Sequence, residues 1–151
     1  MANKIDGLHL IADGRVKNPR RVFTRKNLQA LLLKLVDDLN MQLIWGPKFK
    51  KVDLDPEKLT GDVFQDEGGI SGFCMIGTSH ISIHVWPLRQ HFSMDVFSCK
   101  DFDEAKARAT IVEFLGPEGV SFTAIKRRQG GEETPAPRRH FHNGSLSALP
   151  S

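Results

Sequence analysis

Ser79 stands just before a segment in which His80, Ser82 and His84 alternate with Ile81, Ile83 and Val85, and Cys99 closes the next apolar-rich run. A hydroxyl, an imidazole and a thiol are the tools of nucleophilic and proton-transfer chemistry. Imidazole moves protons near neutral pH. A thiol delivers a proton and is recharged from solvent. Two histidines at alternate positions also suggest a metal, but no third ligand of matching spacing is evident, so zinc is a weak reading and no metal is expected. His140 and His142 are read as part of a polar tail. From periodicity alone, the polar side of such a strand is most often a solvent face. On that reading Ser79 is an ordinary turn residue and Cys99 a small hydrophobe.

The elements that must position these groups follow from the spacing of apolar residues. Residues 80–86 alternate cleanly and are ended by Pro87, so they form a strand with Ile81, Ile83 and Val85 on one face. Residues 70–77 and 93–99 flank it as further strands, and 7–12, 41–46 and 119–126 complete the set. The pattern over 25–40, with Leu28, Leu31, Leu32, Leu35, Val36 and Leu39 at helical spacing behind Thr24 as cap, predicts a helix. A second helix is expected from Asp101, with Glu104 as capping-box partner, Ile111, Phe114 and Leu115 as its buried stripe, and Gly116-Pro117 as its stop. Pro47 and the lysines after it are expected to end the strand at 41–46. Residues 50–69 are polar and turn-rich and read as a loop lining a site.

Strands that follow one another through short turns give an antiparallel or mixed sheet. The expected fold is therefore α+β, a two-layer sandwich with a mostly antiparallel sheet and two main helices on one face. A domain over residues 1–128 is expected, followed by a disordered tail over 129–151, rich in Gly, Pro, Ser and charge.

Composition narrows the function classes. The chain has 151 residues, 40% of them hydrophobic, which suits one domain with a real core. No stretch approaches the ~18 apolar residues of a membrane helix, and the N-terminus lacks a signal-peptide apolar run, so a cytoplasmic protein with no membrane partner is expected. Cys74 and Cys99 are the only cysteines and make no disulfide framework. The net charge of +3 lies in short clusters with no nucleic-acid motif, so no nucleic-acid partner is expected.

Residues 77–87, Gly-Thr-Ser-His-Ile-Ser-Ile-His-Val-Trp-Pro, closely resemble the processing segment of the prokaryotic S-adenosylmethionine decarboxylase family. That segment typically reads Glu-Ser-His-(Ile/Leu)-Ser-Ile-His-Thr-Trp-Pro-Glu. Met94–Cys99 resembles the family's Val-Asp-Val-Phe-Thr-Cys, Gly69–Gly72 its Gly-Val-Ser-Gly, and Gly7–Leu10 its Gly-x-His-Leu strand. The distances between these motifs also match, over roughly residues 5–127. The resemblance implies a self-cleaving decarboxylase of polyamine (spermidine) synthesis. In it, Ser79 attacks the carbonyl of Thr78, the chain breaks between 78 and 79, and a pyruvoyl group at residue 79 forms a Schiff base with the substrate amine. His84 and Ser71 match the residues that assist processing, and Cys99 the acid that reprotonates the substrate carbon. The family also implies a homodimer of cleaved protomers and a small amino-acid-type substrate, S-adenosylmethionine first.

Two departures bear on substrate and processing. Thr78 stands where the family has Glu before the reactive serine, and Leu88 where it has the Glu associated with the ribose hydroxyls. Leucine accepts no hydrogen bond, so recognition of an adenosyl group loses a partner. An arginine or ornithine decarboxylase is the alternative substrate reading, with Arg89, next to Leu88, as the candidate group to engage a carboxylate. Phe64 or Phe92 is the expected substitute for the family's aromatic platform. A β-branched Thr78 crowds the attacked carbonyl, which leaves an unprocessed, inactive regulatory relative as a further alternative.

Overall fold

The computed structural model describes residues 7–52, 68–128 and 138–142. The elements run β1 (Gly7–Val16), α1 (Pro19–Val22), α2 (Arg25–Asp38), β2 (Leu43–Val52), β3 (Gly69–Ile76), β4 (Ser79–Trp86), β5 (His91–Ser98), α3 (Glu104–Leu115), β6 (Pro117–Arg127) and β7 (Arg138–His142). The strands form one seven-stranded sheet in the order β2-β3-β4-β5-β1-β6-β7. Every pairing is antiparallel. The expected α+β sandwich is present, with α2 and α3 packed on one face of the sheet.

Strand alternation sorts the sheet into two faces. Leu8, Leu10 and Ala12 of β1, Ile81, Ile83 and Val85 of β4, and Phe92, Met94 and Val96 of β5 are buried toward the helices. Four leucines of α2 (Leu28, Leu31, Leu32 and Leu35) are fully buried against them. Each contributes about 1.5–3 kcal/mol of apolar transfer free energy. The other face carries His9, Asp13, Ser71, Phe73, His80, His84, Trp86, Ser93, Asp95 and Phe97, all partly or fully exposed. Neither helix covers it.

Local chemistry sets the element ends. Thr24 caps α2, its Oγ1 accepting the Asn27 N–H at 3.2 Å. The second helix begins later than the Asp101 start. Asp103 is its cap, accepting the Lys106 N–H at 3.0 Å, and Asp101 instead takes Lys126 Nζ at 2.7 Å. Gly116 closes α3 in the left-handed conformation at φ 51°, where glycine carries no side-chain penalty.

Three expectations change. Pro47 does not end β2. The strand lies at the sheet edge, where a missing N–H is tolerated, and its register with β3 shifts between Trp45 and Lys48. The short helix α1 was not foreseen, although Pro19 at its first position is a start signal. Within the expected disordered tail, residues 138–142 add a strand to the edge of β6, whose open backbone groups are a template for pairing. Of the expected 50–69 loop, residues 50–52 belong to β2 and Gly69 opens β3, while 53–67, including Phe64, lie outside the described residues.

Candidate active site

β3 and β4 are joined by a two-residue connection, Gly77-Thr78, because Ile76 and Ser79 are already paired across the hairpin. That closure forces Thr78 to a φ of 56°. A β-branched residue rarely enters this left-handed region, and such strain costs about 1–3 kcal/mol. The strained residue supplies the carbonyl that precedes Ser79.

Ser79 opens β4 on the helix side and is 7% exposed. Its Oγ accepts the backbone N–H of Cys99 at 2.8 Å. Its hydroxyl lies 3.4 Å from the Gly77 carbonyl, to which it donates. An N–H directed at the hydroxyl oxygen favours negative charge as that oxygen becomes a nucleophile.

Cys99 lies just beyond β5, brought to the hairpin by the pairing of β4 with β5. Its Sγ is 3.0 Å from Thr78 Oγ1 and 3.7 Å from the Gly77 carbonyl. Thr78 Oγ1 is also 2.9 Å from the Gly77 carbonyl, and its single proton serves one of these acceptors at a time. Hydrogen bonds from Thr78 and then Ser79 hold the thiol below its ordinary range. Cys74 contrasts with it: burial pushes that thiol up to about 11, as expected of core filler.

Ser71 and His84 form a second cluster. They are direct cross-strand partners on β3 and β4, with Ser71 Oγ 2.8 Å from His84 Nδ1. Trp86 stands beside the imidazole, ring centroids 6.0 Å apart, and stacks on His91 at 5.5 Å. Gly69 starts this segment because a Cβ there would meet the Val85 carbonyl oxygen at 1.9 Å. The structure therefore brings Ser79, Thr78 and Cys99 together, and Ser71 with His84, but it does not join the two groups. They lie on opposite sheet faces, and His84 is five positions along the strand from Ser79, about 16 Å.

Two further residues, missed from the sequence, lie on the face of His84, Ser93 in its row and His91 in the next. Ser93 is the cross-strand partner of His84 on β5 and donates to Asp13 Oδ1 at 2.5 Å, while His91 Nε2 lies 3.3 Å from Ser93 Oγ. The alternation of 91–98 was the signal, since it puts His91 and Ser93 on the face that carries His84. Two rows along, His80 lies between Phe73 and Phe97, with ring centroids 5.7 Å and 5.4 Å away. Burial and then His9 push its imidazole down. His9 itself pairs with Asp95 at 2.8 Å. Phe92 is fully buried beneath the helices and cannot serve as a ligand platform. Leu88 is 78% exposed in the β4–β5 turn.

A strained hairpin thus presents a serine and a cysteine together at one end of an α+β layer. The profile of the S-adenosylmethionine decarboxylase family matches residues 8–128. The chain belongs to that family, and it is a decarboxylase. It is 29% identical over 117 residues to the arginine decarboxylase proenzyme of Ignicoccus hospitalis, covering 77% of this chain and 73% of that one. It is 40% identical over 103 residues to the S-adenosylmethionine decarboxylase proenzyme of Methanococcus maripaludis, covering 56% of this chain and 83% of that one. The match to the S-adenosylmethionine decarboxylase proenzyme of Pseudomonas paraeruginosa is 39% identical over 64 residues and spans 42% of this chain and 40% of that one. The crystal structure of the adenosylmethionine decarboxylase from Aquifex aeolicus shares the fold, with a TM-score of 0.60 at 24% identity over 88% of this chain and 99% of that one.

Proposed function

We propose that this chain is a proenzyme that cleaves itself between Thr78 and Ser79 and then decarboxylates S-adenosylmethionine, for polyamine synthesis in the cytoplasm. The observation that carries the reading is the hairpin end. There the Thr78–Ser79 peptide follows a strained left-handed residue, the Ser79 oxygen is oriented by the Cys99 N–H, and the Cys99 thiol touches Thr78.

The steps balance as follows. Ser79 Oγ adds to the Thr78 carbonyl carbon, and the peptide nitrogen leaves as an amine, giving an ester. Loss of the Ser79 α-proton expels the Thr78 carboxylate and leaves an enamine nitrogen at residue 79. Water then replaces that nitrogen, releasing ammonia and a pyruvoyl group. Residue 79 fits this group, since it sits at a strand start with the Cys99 N–H and thiol beside it. The pyruvoyl carbonyl supplies an electron sink for a substrate that has lost carbon dioxide. Cys99 holds the proton to be returned to the substrate carbon.

His84 and Ser71 assist processing in this reading. A single protomer keeps that pair about 16 Å from Ser79, on the other face of the sheet. In this reading they act from a second copy, so the enzyme is a homodimer of cleaved protomers, with residues 1–128 as its catalytic unit.

Arginine or ornithine is the second substrate reading. Leu88 favours it, because its exposed side chain offers no acceptor for ribose hydroxyls.

Intact-mass spectrometry beside a Ser79→Ala control tests the proposal. Fragments 1–78 and 79–151, the second with a pyruvoyl terminus and the control whole, support it. A stable uncleaved chain refutes it in favour of a regulatory relative. Carbon dioxide release from S-adenosylmethionine, arginine and ornithine then decides the substrate.

A further inference from the structure

At the end of the sheet opposite Ser79, the chain leaving β1 passes through Lys17 into α1. With the last turn of α3, it encloses a cavity of about 480 Å³. That volume lies within the range of small-molecule sites, about 300–1,000 Å³. The cavity is separate from the candidate active site and shares none of its residues. Its charged lining is mixed. Lys17 and Arg21 bring two cations from the β1–α1 connection, and Glu113 brings a carboxylate from α3. Lys17 and Arg21 make no ion pair among the described residues. Val22 and Phe114 add an apolar surface. The walls are fixed to one another, since Asn27 Nδ2 donates to the Val22 carbonyl and to the Phe114 carbonyl, each at 2.9 Å. Glu113 also stands at the C-terminal end of α3, where the helix dipole favours a cation.

From this lining we infer a second binding site, one that takes a zwitterionic α-amino acid. The carboxylate is held by Lys17 and Arg21, the ammonium by Glu113 at the negative helix end, and the side chain lies along Val22 and Phe114. Two cations against one anion select the zwitterion over a simple diamine. The carboxylate of Glu113 selects it over a simple acid.

The test is amide NMR of uncleaved Ser79→Ala protein titrated separately with L-methionine, L-arginine, acetate and 1,4-diaminobutane. Saturable shifts at Lys17, Asn27 and Gly116 with an amino acid, and none with acetate or the diamine, are expected. Arg21→Gln and Glu113→Gln each weaken that binding about tenfold or more. Arg21→Lys retains most of it, and His84→Ala leaves it unchanged. Spectra that overlay away from the cavity establish that each variant is folded. The inference is overturned by any of three results: no saturable shift up to the solubility limit, equal shifts with acetate or the diamine, or binding lost in His84→Ala and kept in Arg21→Gln. None of these bears on self-cleavage, which mass spectrometry reads independently.

Discussion

Replacing Thr78 with glycine separates strain from crowding at the scissile bond. Thr78 is held at a φ of 56°, where a β-branched residue is strained by about 1–3 kcal/mol. Glycine removes that strain and gives back about 0.5–1 kcal/mol through the greater entropy of its unfolded chain. The Thr78 hydroxyl is exposed, so losing its contacts costs little. The net gain is about 1 kcal/mol. In a domain of this size that raises Tm by roughly 2–4 °C. The comparison is made between Thr78→Gly/Ser79→Ala and Ser79→Ala, so that neither protein cleaves. With Ser79 restored, the strain relieved in the ground state no longer assists the acyl shift, and cleavage slows by about five- to tenfold. Mass spectrometry over time after refolding measures it. A lower Tm in the double variant refutes the strain argument. Faster cleavage shows that crowding by the threonine side chain dominates instead.

Other outcomes follow from the same geometry. Cys99→Ala is expected to cleave and to lose about 10²–10⁴-fold in carbon dioxide release, because the proton donor is gone while Ser79 keeps the backbone N–H of residue 99. Co-expressed Ser79→Ala and His84→Ala chains, each inert alone, are expected to yield cleaved His84→Ala chain when mixed, since the Ser79→Ala partner supplies the imidazole. Absence of that product in a purified mixed dimer refutes assistance across the interface. Asp38 makes stability fall in acid. Burial of the Asp38 carboxyl acts to raise its pKa, but hydrogen bonds from Lys34 and Thr110 outweigh this and hold it below its ordinary 3.8. A carboxyl depressed in the folded state adds stability above its unfolded pKa and loses it as pH falls through the folded one. Asp38→Asn is therefore expected to be less stable at pH 7 and to lose less of its stability between pH 5 and 3, measured by urea unfolding.

Much of this site was legible because strand periodicity is a strong signal. The alternation of Ile81, Ile83 and Val85 with His80, Ser82 and His84 fixed which side chains face the helices. Thr24 and the leucines behind it located α2 to within a turn. Edges and ends were less legible, for local reasons. Pro47 reads as a strand breaker, but an edge strand does not need its N–H. Asp101 and Asp103 are both acceptable caps, and the choice between them depends on Lys126 reaching Asp101 across the fold. The left-handed Thr78 was not legible at all, because only the pairing of Ile76 with Ser79 demands it.

Spacing along the chain also concealed a spatial division. Ser71, Ser79, His84 and Cys99 read as one constellation, but the offset of five positions from Ser79 to His84 is odd and puts them on opposite faces. The division assigns tasks. In the proposed reading, the hairpin end holds the bond to be broken and the thiol. The other end of the sheet holds His84, Trp86, His91 and the turn with Leu88, one of the two departures from the family pattern. A change of substrate written into Leu88 can therefore leave the Ser79–Cys99 chemistry untouched. For that reason Leu88→Glu is the informative exchange: with unchanged self-cleavage, a gain in kcat/KM for S-adenosylmethionine over arginine would place substrate choice in this turn. An unchanged ratio would place it elsewhere.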